Sequence, residues 1–154
     1  LDHDAVYIGG CESTYLYGIM RSQQGEEPTR WFRMERTTGQ YETLPIPETD
    51  HLCGVWNNQL VLFRERCAEP FTSDKMSDYS LAGSYSSRFQ NTSYDVVLYD
   101  PVTAQSRRLY SLNENSGSFT HAALYGDSLY LDTILWENPD ETQFYAIRLN
   151  LRYG

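Results

Sequence analysis

The sequence has little that would make helices, span a membrane or hold a metal. No window of a dozen residues carries an apolar stripe at helical spacing between capping residues. No run approaches the ~18 apolar residues of a membrane-crossing helix. Among 12 basic side chains there is one lysine, Lys75, and 21 acidic residues bring the net charge to −9. A surface that acidic repels phosphate backbones, which speaks against nucleic acid and anionic membranes as partners. The cysteines, Cys11, Cys53 and Cys67, are 3 in number, and their spacing fits neither a zinc motif nor a disulfide framework. Free, buried thiols are expected. There is no P-loop, no dinucleotide fingerprint and no Gly-x-Ser-x-Gly elbow. No initiator Met and no signal-peptide pattern open the chain, so it is expected to begin inside a longer gene product or after processing.

What is present is aromatic and β-prone. Aromatic residues make up 14% of the 154, with 13 tyrosines, a bias toward strands. Short β-rich runs alternate with turn residues. They predict eleven strands over residues 5–10, 15–21, 31–36, 40–44, 51–56, 59–66, 94–100, 106–112, 120–125, 128–135 and 143–149. Most are joined by two- to five-residue connections, as antiparallel hairpins require.

The runs repeat. The segment from Met34 to Gln40 lies over that from Tyr99 to Gln105, each a strand, an acid, a turn and a second strand. The acid, Glu35 or Asp100, is placed to accept hydrogen bonds from turn amides, and Gly39 or Ala104 ends the reversal. A third copy begins at Leu149 and puts Asn150 at the acid position. A second unit precedes each turn. Residues 9–17 lie over 54–62 and over 123–131, with Asn57-Asn58 and Gly126-Asp127 as two-residue hairpin turns. This alignment puts Tyr15 with Leu60 and Leu129. Tyr15 precedes Glu35 by 20 residues and Leu129 precedes Asn150 by 21, but Leu60 precedes Asp100 by 40. The middle copy therefore carries an insertion. Without it the period is about 45–50 residues, that of a four-stranded blade.

The fold class that follows is all-β: antiparallel four-stranded meander blades forming part of a β-propeller. Blade one covers residues 5–46. Blade two covers 51–112, with an insertion at 68–92. Blade three covers 119–154 and lacks its last strand. Three blades do not close a ring, which takes ~4–8. Two apolar sheet faces are then left for the remainder of a larger propeller or for a second copy of the chain.

Val6-Tyr7-Ile8-Gly9-Gly10, and Leu98-Tyr99-Asp100-Pro101-Val102-Thr103 before a further strand, resemble kelch repeats and related bacterial β-propellers. The resemblance implies a binding or scaffold role outside the cytoplasm. It also implies that the insertion shares a rim with residues 22–30, 47–50, 113–118 and 137–141. Phe71, Tyr79, Tyr85 and Phe89 in the insertion, with Glu48, Asp50, Glu114 and Trp136, are the residues expected to meet a ligand. Tyr and Ser together suit adaptable recognition. The expected ligand is a protein or peptide; no catalytic residue, cofactor or metal site is assigned. The alternative is a carbohydrate-binding or carbohydrate-active propeller with Trp31, Trp56 or Trp136 as sugar platforms. His3, His51 and His121 occupy different repeat positions, so no shared metal site is assigned to them. His121 is expected across from Asp132, as a local cross-strand pair.

Overall fold

The structure is a computed structural model, and it describes residues 4–22, 29–47, 50–67, 92–112, 117–138 and 141–153. Among these described residues are eleven strands: β1 Asp4–Cys11, β2 Tyr15–Ser22, β3 Arg30–Glu35, β4 Tyr41–Leu44, β5 Asp50–Trp56, β6 Gln59–Cys67, β7 Thr92–Asp100, β8 Gln105–Leu112, β9 Gly117–Tyr125, β10 Ser128–Asn138 and β11 Glu141–Asn150. Each overlaps one of the runs read from the sequence. They form three sheets, ordered β1-β2-β3-β4, β5-β6-β7-β8 and β9-β10-β11. The protein is all-β, and none of the sheets closes on itself.

The turns explain why the strands end where they do. Asn57 and Asn58 both take positive φ, 48° and 60°, and Gly126 takes 55°. Such angles let a two-residue connection follow the right-handed twist of its strands. The repeated acid turn also has one geometry. Gly39 and Ala104 hold φ of 71° and 56° at the same repeat position. The Asp100 carboxylate accepts from the amides of Val102 (2.8 Å) and Thr103 (3.5 Å), and Asn150 Oδ1 accepts from the amide of Arg152 (3.0 Å). Glu35 instead accepts from the Thr38 hydroxyl (2.6 Å), its longer side chain reaching past the nearest amides.

The first copy of the repeat is shifted by one residue from its sequence alignment. Tyr15 pairs with Glu35, while Ser128 pairs with Asn150, and Glu35 and Asn150 head the same turn. Tyr15 is therefore the counterpart of Ser128, and Tyr17 that of Val61 and Tyr130. The cause lies in the β1–β2 connection. It uses Glu12, Ser13 and Thr14, closed by the Glu12 amide on the Tyr15 carbonyl (2.9 Å), where the other copies use two residues. The pairing also shifts between Ile8 and Gly10, leaving a bulge at Gly9.

Contacts divide the chain into two compact units, Leu1–Phe63 with Val97–Arg107, and Arg64–Val96 with Arg108–Gly154. In the first unit, the pairings Tyr17↔Arg33, Ile19↔Trp31 and Trp31↔Leu44 set these side chains on one face of the first sheet. Tyr17, Trp31, Leu44 and Ile46 form one core with Leu60, Leu62, Val97 and Tyr99 of the second sheet. Each such apolar side chain contributes about 1.5–3 kcal/mol on burial. The opposite face of the first sheet is apolar too: Val6, Ile8, Leu16, Met20, Phe32, Met34 and Tyr41 share it. Met20 and Phe32 are buried there, while Val6, Ile8 and Tyr41 are 38%, 53% and 50% exposed.

In the second unit, Leu129, Leu131 and Thr133 are buried on one face of β10. The Phe119 ring, opposite Thr133, meets the rings of Tyr94 and Tyr110 at 6.2 and 6.1 Å. The other face of this sheet carries Tyr130, 43% exposed, and Phe144, 77% exposed.

Candidate functional site

The residues expected to bind a ligand are only partly described. Phe71, Tyr79, Tyr85, Phe89, Glu48 and Glu114 lie outside the described residues. Trp136 lies on β10, opposite Thr142. Asp50 is the exception, and it is buried at the head of β5 rather than displayed on a rim loop. Its position follows from the chain just before it. The Pro47 carbonyl accepts from the Asp50 amide (3.1 Å) and from the Trp31 indole N–H (3.2 Å), which ties the second sheet's first residue to the first sheet's core. Trp31 is thus a core residue with its polar atom satisfied, and it offers no exposed sugar platform.

Beside Asp50 is a cleft of about 130 Å³, lined by Ile19, Trp31 and Leu52 and by the polar groups Arg21, Asp50 and His51. A second cleft, about 260 Å³, lies among Tyr15, Arg33, Glu35, Gln40, Tyr41 and Glu42. Both are below the ~300–1,000 Å³ of sites that enclose a small molecule. They suit a side chain or a few waters instead.

The second cleft has the denser chemistry. Arg33 and Glu42, paired across β3 and β4, form an ion pair. The Arg33 guanidinium also sits 5.1 Å from the centre of the Tyr15 ring, a cation–π contact. Behind it, Tyr17 and Tyr99 are buried, and neither hydroxyl has a hydrogen-bond partner among the described residues. Burial pushes both phenols above their ordinary pKa, with Arg33 acting in the opposite direction. Asp100 lies below the usual carboxylate range, chiefly through the Val102 amide, with Thr103 and Arg33 adding to it. The phenols are therefore protonated at neutral pH and can only donate or accept a hydrogen bond; none is poised as a nucleophile. An unpaired buried hydroxyl costs about 1–3 kcal/mol. Tyr17→Phe is accordingly expected to leave stability unchanged or raise it by about 1 kcal/mol. Urea unfolding midpoints of Tyr17→Phe and Tyr99→Phe check this; a loss above that size would mean the hydroxyls are satisfied in solution.

The other polar centre was not foreseen. Asp95 is 3% exposed in the middle of the apolar run from Tyr94 to Leu98. Its carboxylate takes an ion pair from Arg66 and a 2.6 Å hydrogen bond from the Ser111 hydroxyl. The one signal in the sequence is the charge itself, set among residues that otherwise read as a fully buried strand. Its partners are 29 residues before it and 16 after, across the insertion and a hairpin.

Among the described residues, the histidines and thiols do not converge, and the Cys67 side chain lies outside them. His121 pairs with Asp132 across β9 and β10, as the turn at Gly126-Asp127 predicts. His51 and His121 are exposed, and His3 lies outside the described residues. Among the described residues, no three of His, Cys, Asp and Glu are close enough to share a metal ion. Cys11 is exposed rather than buried, because it ends β1 beside the open Glu12–Thr14 connection. Cys53 is a half-buried thiol pushed up to about 12 by burial, hence unreactive at neutral pH.

No helix among the described residues is long and apolar enough to cross a membrane. Comparison with protein-family models, with curated proteins and with solved structures gave no match to this chain.

Proposed function

We propose that the chain is a segment of a kelch-like β-propeller, acting outside the cytoplasm as a non-catalytic module that binds a protein or peptide. The observation that carries this reading is recurrence. Three consecutive antiparallel sheets are built from one strand plan, and β3, β7 and β11 each end on an acid or amide that heads the same turn. Repeats of this kind bury continuous cores between neighbouring units and leave their insertions on the surface for recognition. Residues 68–92 are such an insertion, and Phe71, Tyr79, Tyr85 and Phe89 give it the aromatic, hydroxyl-rich character of a recognition loop. The small volume of both clefts favours a ligand that lies on a surface over one that is enclosed.

The test begins with peptides selected from a display library on the intact chain. Their affinity is then measured by calorimetry on a variant whose residues 68–92 are replaced by a short Gly-Ser linker. A loss of at least about tenfold, or 1.4 kcal/mol, is expected. Unchanged affinity would reject the loop as the binding element. Binding to a glycan array that survives the same replacement would favour the carbohydrate reading.

A further inference from the structure

We infer that the cleft among Tyr15, Arg33, Glu35, Gln40, Tyr41 and Glu42 takes one uncharged carboxamide side chain, glutamine or asparagine, of a bound peptide. The inference rests on the peptide-binding reading for the source of that side chain, but not on residues 68–92.

Its basis is the hydrogen-bonding capacity left over on the two sides of the cleft. A guanidinium has five N–H donors. Arg33 Nε donates to Glu42 Oε1, and among the described residues no bond starts from Nη1 or Nη2. Yet the Arg33 side chain is only 16% exposed. Unmet donors on a charged, largely covered group are costly. The guanidinium is also held in place: it lies 5.1 Å from the centre of the Tyr15 ring, which stands 6.3 Å from the Tyr17 ring. Tyr17 pairs with Arg33 across β2 and β3, and its buried hydroxyl, like that of Tyr99, has no partner among the described residues. The inner side therefore has donors with no acceptor to meet them.

The outer side is the reverse. Glu42 Oε1 is engaged by Arg33, and Glu35 Oε2 by the Thr38 hydroxyl at 2.6 Å. The second oxygen of each carboxylate accepts no bond among the described residues. A group that fills the cleft must accept from the Arg33 Nη atoms and donate to a nearby carboxylate.

Charge narrows the class. One arginine against two glutamates leaves the lining net negative, on a chain whose own net charge is −9. An incoming carboxylate would meet the Nη donors but face both glutamates. An incoming ammonium would meet the glutamates but face Arg33 and leave the Nη donors unspent. A primary amide does both tasks at once: its carbonyl accepts, its NH2 donates, and it brings no charge. The half-exposed Tyr41 ring offers apolar area for the methylene stem. A volume of about 260 Å³ admits such a side chain.

The test titrates N-acetyl-glutamine-N-methylamide, and its glutamate and lysine counterparts, into the ¹⁵N-labelled chain. The glutamine compound is expected to bind at about 1–10 mM, with shifts centred on the amides of Gln40 and Glu42 and on Arg33 Nε. It is expected to bind at least about fivefold tighter than either counterpart. Arg33→Lys keeps the charge but loses the planar fork, and is expected to weaken glutamine binding at least about tenfold. Glu42→Gln replaces a side chain that is 57% exposed, so the variant is expected to fold; circular dichroism checks both variants. With one carboxylate gone, Glu42→Gln is expected to reverse the preference, the glutamate compound then binding at least about threefold tighter than the glutamine one. A merely structural role for Glu42 would leave the preference unchanged, and that result would overturn the inference. So would the absence of shifts at these resonances up to about 100 mM, or equal binding of the three compounds. A selected peptide that binds without moving these resonances would overturn the cleft and leave the peptide reading standing. Glutamine binding here with no peptide selected from the library would do the opposite.

Discussion

Replacing Arg66 with alanine is expected to lower folding stability by about 2–3 kcal/mol, although Arg66 is a half-exposed surface residue. Surface ion pairs contribute little, typically under about 1 kcal/mol. The asymmetry of this pair changes the outcome. The Asp95 side chain is only 4% exposed, against 52% for Arg66. Removing the arginine leaves a carboxylate in the middle of a central strand, held among the described residues by the Ser111 hydroxyl. Removing the aspartate instead leaves a guanidinium that turns into water. Asp95→Ala is therefore expected to cost less than Arg66→Ala. Adding Asp95→Ala to the Arg66→Ala background is expected to restore part of the loss. Urea unfolding of the four proteins of the cycle measures this. Equal costs for the two single variants, with no rescue in the double, would mean the carboxylate is solvated and the pair is an ordinary surface one.

The same region shows what a sequence of this kind discloses. Strand positions were legible because local chemistry sets them. Asn57-Asn58 and Gly126-Asp127 specify tight turns by their tolerance of positive φ, and the acid at Asp100 captures the amides beyond it. Such signals lie within a few residues of one another. The register of the first copy was not legible, because Glu12-Ser13-Thr14 carries no strong turn preference and no residue pattern marks the bulge at Gly9, which lies against Leu52 of the neighbouring sheet. Burial at long range was hidden for the same reason. Asp50 reads as a polar loop residue until Pro47 is seen to hold its amide together with the Trp31 indole. Asp95, Arg66 and Ser111 come from three strands, and no local pattern links them. Tyr17 and Tyr99 read as ordinary strand tyrosines, and only the packing shows that their hydroxyls are enclosed without partners.

Gly10→Val is expected to cost about 2–3 kcal/mol, because the neighbouring strand leaves no room for a side chain there. Gly10 has no positive φ to explain it; the constraint is space. A Cβ on Gly10 would stand 2.7 Å from Val55 Cγ2 and 3.3 Å from Leu52 Cδ2, where β1 runs against β5. A Cβ on Gly9 would stand 2.9 Å from Leu52 Cδ2. These obstacles differ in stiffness. The Leu52 methyl is the far end of a side chain that can rotate away. The Val55 methyl is fixed to a branched Cβ with few allowed rotamers. Alanine is therefore expected to be tolerated better at Gly9 than at Gly10, even though both substitutions gain about 0.4–1 kcal/mol from a stiffer unfolded chain. The decisive comparison is Gly10→Ala alone and with Val55→Ala. If the clash with Val55 is the cause, the alanine at position 10 becomes neutral or stabilising once the valine is trimmed. If it costs the same in both backgrounds, the glycine is required for the backbone path of the bulge, and the approach of β1 to β5 is looser than the 2.7 Å clearance implies.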